Sequence, residues 1–96
     1  ISPIILIKPT GTDIEVQENN TGQKFKITLP EEYNEYIIEL DCEDRICWLK
    51  SGEDDEDPVN ITKHVDFNSD WFSIHGEYQF STTNCILQTV DYNERW

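Results

Sequence analysis

Through much of this chain apolar and polar residues alternate at a period of two, the spacing that sends successive side chains to opposite faces of a strand. Ile14 and Val16 carry the alternation first; Asn19-Asn20-Thr21-Gly22 interrupts it with turn chemistry, and Phe25, Ile27 and Leu29 resume it. The pattern predicts a hairpin with strands over residues 13–18 and 25–29. Ahead of it, Ile4-Ile5-Leu6-Ile7 lies between Pro3 and Pro9, as expected of a first strand at an edge or terminus. Residues 36–42 form the clearest strand, with Ile38, Leu40 and Cys42 on one face and Glu39 and Asp41 turned to water. After Glu43-Asp44-Arg45, residues 46–50 form a second central strand. Trp48 is its expected core anchor, because a buried indole contributes a large apolar area, and parity then turns Cys47 outward. Further strands are predicted over 59–67, 71–74, 76–81 and 86–92, with turns at Asn68-Ser69-Asp70 and Thr82-Thr83-Asn84.

Ninety-six residues make one domain, spanning 1–96. Such a chain buries only about two-thirds of the surface that its unfolded form exposes, so the core is modest. Ala and Met are absent and Leu is sparse, whereas Ile, Val, Thr and the aromatic residues are plentiful; the class is all-β. Twenty acidic residues against seven basic ones give a formal charge of −13. That charge repels phosphate backbones and anionic lipid, excludes nucleic acid as an ordinary partner and favours a basic protein. Ser51 to Pro58, dominated by carboxylates, cannot bury apolar surface and is expected to be an exposed loop. No apolar stretch is long enough to cross a bilayer, so no membrane segment is expected here. The first residue, Ile1, reads as the start of a processed or excised piece, with any signal or anchor outside it.

The candidate chemistry is sparse. Cys42 and Cys47 lack the two-residue spacing common in structural zinc sites, and His64 and His75 form no paired motif, so no metal is expected. The carboxylates of residues 53–57 lack the alternating ligands and central glycine of a calcium loop. Phosphate-cradling glycine loops, nucleophile elbows and metalloprotease helices are also missing; no catalytic residue, enzymatic activity or cofactor is expected. Three cysteines permit one bridge with one thiol left over, in three possible pairings. The sequons at Asn19 and Asn60 are candidate glycosylation sites and fit an extracellular or cell-surface protein.

Ile38-Glu39-Leu40-Asp41-Cys42, then Trp48-Leu49-Lys50-Ser51-Gly52, then Gly76-Glu77-Tyr78-Gln79-Phe80 follow one another in the order of a strand ending in Cys, a strand with Trp before a Lys-x-Gly turn, and a Gly-x-Tyr-x-Cys strand. In this the chain resembles the immunoglobulin superfamily and, within it, the extracellular domains of T-cell receptor signalling chains of the gamma and epsilon type. Phe80 stands where the second cysteine of that family would be. The resemblance implies an immunoglobulin-like antiparallel β-sandwich with an extra N-terminal hairpin, and a core of Trp48, Tyr78 and Phe80. It also implies a displaced inter-sheet bridge between Cys42 and Cys85, closing a loop of about forty residues and contributing on the order of 4 kcal/mol. Cys47 is then the candidate for an unpaired thiol or an intermolecular bridge.

The leading functional expectation is a non-enzymatic extracellular binding module or receptor ectodomain of the immune type, acting through a protein partner. Trp71, Phe72 and Trp96 are its candidate contact residues, since exposed aromatics anchor interfaces. The alternative is an intracellular acidic inhibitor that mimics nucleic acid before a basic enzyme, motivated by charge density alone. A third reading is a subdomain of a larger structural or viral surface protein.

Overall fold

A computed structural model describes residues 2–52 and 54–91. Eight strands follow in chain order: β1 (Ile4–Pro9), β2 (Asp13–Glu18), β3 (Lys24–Thr28), β4 (Ile37–Asp41), β5 (Ile46–Lys50), β6 (Val59–Asn60), β7 (Phe80–Thr83) and β8 (Cys85–Asp91). They form a five-stranded sheet, β6-β5-β4-β1-β8, and a three-stranded sheet, β3-β2-β7, in which every pairing is antiparallel. The all-β, two-sheet expectation holds, and among the described residues no α-helix is present. Alternation decides what each sheet buries. Ile5, Ile7, Ile38, Leu40, Cys47 and Leu49 from the large sheet join Ile14, Val16, Phe25 and Ile27 from the small one in one cluster, with Phe72 fully buried among them.

The predicted hairpin is β2–β3, with Val16 opposite Phe25 and Ile14 opposite Ile27. Its turn closes by Glu18 N–H donating to Gln23 O (2.8 Å) and Gly22 N–H donating to Glu18 O (2.9 Å), and Gly22 takes the left-handed backbone that lacks a Cβ penalty (φ 78°). The Glu18 carboxylate is buried, where it accepts from Asn20 N–H at 2.8 Å and Gln79 N–H at 3.4 Å. Those bonds offset part of its desolvation.

The sheets share two continuous stretches of chain. β1 runs into β2 through Thr10-Gly11-Thr12, and β7 runs into β8 through Asn84 alone. Since β1 pairs with β8 and β2 with β7, a two-stranded ribbon turns a corner from one sheet to the other. Asn84 takes the positive φ (56°) that asparagine tolerates; its carbonyl accepts from Thr10 N–H and its side-chain amide donates to Asp13 O, both at 2.8 Å. A Cβ at Gly11 would sit 3.0 Å from Asn84 Cβ, so the corner needs glycine there for close approach.

Four expectations change, the first being that the strand expected over 76–81 begins only at Phe80. Thr82 and Thr83 belong to β7 rather than to a reverse turn, because only Asn84 carries the special backbone. The strand expected over 59–67 shrinks to Val59–Asn60: the Asn60 side chain accepts from Thr62 N–H (3.0 Å), and a 3₁₀ turn, Thr62–His64, follows. Residues 71–74 form no strand. The segment before them lies along the open edge of β3, with Val65 bridged to Ile27 and Asp66 and Asp70 N–H donating to Lys26 O and Lys24 O. Ser69 Oγ and Asp70 Oδ2 accept from Lys26 and Lys24 N–H in return, so side chains finish an edge that a strand would have covered.

Candidate functional site

The parity of β5 is the reverse of expectation. Leu49 pairs with Ile38 and Cys47 with Leu40, so the buried face of β4 draws Cys47 and Leu49 inward and turns Trp48 outward, opposite Glu39. Ile46-Cys47-Trp48-Leu49 carries no alternation of its own, and the partner strand decides. Cys47 is therefore a fully buried thiol, not an outward one, and Trp48 is half-buried on the outside of the large sheet.

Trp48 has apolar company there. The outward positions of β1 are Ile4, Leu6 and Lys8; of β4, Ile37, Glu39 and Asp41; of β5, Ile46, Trp48 and Lys50; of β8, Ile86, Thr89 and Asp91. Strand register lays them out in rows. Trp48, Glu39, Leu6 and Thr89 cross the middle, Ile46, Asp41, Ile4 and Asp91 cross one end, and the other end pairs Lys50 with Ile37 and Ile86 with Lys8. Half of these twelve residues are apolar, a high share for the solvent side of an antiparallel sheet, which ordinarily reads polar. Lys50 Nζ lies 3.5 Å from Glu39 Oε1, closing an ion pair within the face. Of all the surfaces described, this face is the candidate for contact.

The other expected site residues scatter. Phe80 is half-buried and meets Phe72 edge-on at 5.2 Å and Tyr78 at 5.5 Å. Tyr78 is 38% exposed, so these two rings do not form a centre with Trp48. Phe72, expected at a partner interface, is core; Trp71, half-buried, stacks edge-on against Phe25 at 5.1 Å. Trp96 lies outside the described residues.

The three cysteines are free and buried, which corrects the expected Cys42–Cys85 bridge. Cys42 N–H donates to the carbonyl of Pro3, before β1, whereas Cys85 pairs with Pro9 at the far end of the same strand. Six residues of strand put the two about 20 Å apart, well beyond the reach of a disulfide. Burial pushes the Cys42 thiol up to about 12 and the Cys85 thiol up to about 11, and raises Cys47 further. At neutral pH all three stay protonated and poorly nucleophilic.

Both sequon asparagines are exposed, and each side chain is hydrogen-bonded at the surface. Asn19 Nδ2 donates to Ser81 Oγ at 2.8 Å, while Asn60 is tied to Thr62 as described. A shallow groove of about 350 Å³ over the small sheet is lined by Asp13, Glu15, Lys26, Thr28, Asp66 and Thr83 among others, and Lys26 faces Glu15 across it at 3.7 Å. Its lining mixes those polar groups with Ile14 and Ile27, and it is too open to enclose a small ligand. In the acidic loop Asp55 accepts from Ser51 N–H (3.0 Å), Ser51 Oγ (3.2 Å) and Asp57 N–H (2.9 Å), and the Ser51 bond leads the causes that hold its carboxyl below the usual range. Among the described residues no group of three or more His, Cys, Asp or Glu is placed to hold a metal, and no helix is long and apolar enough to cross a membrane.

Comparison with protein families matches residues 1–96 to the Siphovirus-type tail component, C-terminal domain (SPP1 Dit). The comparisons with curated proteins and with solved structures yield no match. The family match corrects the immunoglobulin and T-cell receptor resemblance, and with it the receptor-ectodomain, nucleic-acid-mimic and immune readings. A bacteriophage tail component is virion-associated, which replaces the extracellular or cell-surface location and leaves the glycoprotein and secreted expectations without support. The motifs behind the resemblance were short strand-end patterns, and their spatial counterparts differ here: Trp48 faces out, Phe80 packs on Phe72, and Cys42 has no partner cysteine. The sequence shows only part of this outer face: Ile4-Ile5-Leu6-Ile7 signals it by being apolar at both parities.

Proposed function

The chain belongs to the siphovirus-type tail component C-terminal domain family, and from that membership we propose that it is a structural module of a bacteriophage tail, held in the virion by protein–protein contact. The observation that carries the reading is the family match along the whole of residues 1–96. Two surface features support contact as its mode of action. The distinctive surface is a half-apolar sheet face rather than a cleft of converging titratable groups, and the formal charge of −13 suits a basic neighbouring protein. In this reading the domain works without catalysis or a cofactor, as a single folded unit.

Gradient-purified particles of the source bacteriophage test the proposal. The domain is expected in their peptide inventory, and antibody raised against the isolated 96-residue chain is expected to decorate the tail in negative-stain micrographs. Its absence from the particles, or label confined to the capsid, overturns the reading.

A further inference from the structure

The outer face of the five-stranded sheet is polarised along its strands. Asp41 and Asp91 stand in the row at one end, with Ile46 and Ile4 between and beside them; Lys8 and Lys50 stand at the other, with Ile37 and Ile86. Only seven basic residues occur in the chain, and two of them mark this end. Glu39, in the middle row, is neutralised within its own chain by Lys50. The face thus carries two apolar residues in every row, Trp48 and Leu6 in the middle one, with opposite charges at its two ends.

We infer that this face docks against the same face of a second copy of the chain. Two such faces meet about a two-fold axis lying between them. An axis running across the strands reverses their direction in the second copy, which brings Lys8 of each copy beside Asp91 of the other and Lys50 beside Asp41. An axis along the strands would set lysine end against lysine end, so the charge pattern selects the first arrangement. Burial of Trp48, Leu6, Ile4, Ile37, Ile46 and Ile86 supplies the driving force against the general repulsion of two chains of formal charge −13, which salt screens, and the lysine–aspartate ends supply the register. Five strands and three outward rows cover about 400 Å² per copy. The pair thus buries about 800 Å² in total, below the roughly 1,200–2,000 Å² of a stable specific interface, so it is weak as an isolated domain and fills where copies are held close together.

Sedimentation velocity on the 96-residue chain, from 10 µM to 1 mM at about 150 mM salt, tests the inference. A monomer–dimer equilibrium is expected, with half-association at roughly 50–500 µM. Trp48→Lys should remove it while leaving the β-sheet circular dichroism unchanged. Lys8→Glu and Asp91→Lys, neither of which breaks a described hydrogen bond, should each weaken self-association about tenfold by placing like charges together. An equimolar mixture of the two should form a heterodimer within about threefold of the unaltered affinity, because glutamate then faces lysine. A chain that stays monomeric throughout the range overturns the inference, as does a dimer indifferent to Trp48→Lys. If Trp48→Lys fails to fold, the charge-reversal pair decides alone: a mixture no tighter than its components overturns it. The family assignment stands whichever way this experiment falls.

Discussion

Replacing Phe72 with alanine separates the observed packing from the arrangement that short motifs suggested. Phe72 is fully buried, and its ring meets Phe80 edge-on at 5.2 Å. Truncating a phenylalanine in such a site costs about 3–5 kcal/mol through lost transfer energy and the cavity left behind; an edge-to-face pair accounts for roughly 0.5–1.5 kcal/mol of contacts of this type. A domain of this length has a total stability of about 5–14 kcal/mol, so Phe72→Ala should remove between a quarter and nearly all of it. At roughly 4–8 °C per kcal/mol for a chain of this size, the midpoint should fall by at least about 12 °C. Trp48→Ala is the comparison, since Trp48 is half-buried on the outer face of the large sheet; its cost should be about 1–2 kcal/mol. Urea unfolding followed by far-ultraviolet circular dichroism measures both below the concentrations at which copies pair. If Trp48→Ala costs more than Phe72→Ala, the parity assigned to β5 and the core built on it are wrong.

Gly11→Ala should destabilise by about 1–3 kcal/mol, because the added Cβ meets Asn84 Cβ at 3.0 Å; a denaturation midpoint within error of the unaltered chain contradicts the tight corner. The cysteines should resist a thiol reagent in the folded state at pH 8 and react in full once the chain is unfolded in urea. Because burial raises their folded pKa values, stability from this source is complete below the unfolded thiol value near 9 and is lost as pH climbs towards about 11 for Cys85 and about 12 for Cys42. Flat stability between pH 9 and 11 would refute that linkage. The lowered Asp55 carboxyl predicts the opposite dependence: its bonds to Ser51 and Asp57 hold above the ordinary carboxylate pKa and break as pH falls through the folded value. The protection factor of the Ser51 amide, its exchange rate set against the intrinsic rate at the same pH, should fall at acid pH and, in Asp55→Asn, at neutral pH as well.

How far the sequence disclosed the molecule depended on whether each segment carried its own alternation. Ile14-Glu15-Val16 and Phe25-Lys26-Ile27 do, and β2 and β3 appear with the expected turn and inner faces. Ile38-Glu39-Leu40-Asp41-Cys42 does too, and β4 buries the expected side. Ile46-Cys47-Trp48-Leu49 does not, and choosing the largest ring as the core residue inverted the strand; register against β4 settles that choice, and register is a tertiary property. The segment from Val65 to Asp70 was equally opaque, since its place along β3 depends on Ser69 and Asp70 side chains meeting backbone N–H groups more than forty residues away. The outer face of the large sheet was half legible. Its apolar residues stood in plain view as doubled isoleucines, but the opposition of lysine and aspartate ends exists only once β1, β4, β5 and β8 lie side by side.

The ribbon corner at Gly11 and Asn84 bears on how the domain transmits load. Two covalent stretches cross together from one sheet to the other, each hydrogen-bonded to its neighbour on both sides of the bend. Pulling the sheets apart would therefore strain both stretches at one place and shear the flanking ladders, instead of peeling a lone strand from an edge. Such a doubled joint resists separation of the layers while leaving the far ends of both sheets free to flex.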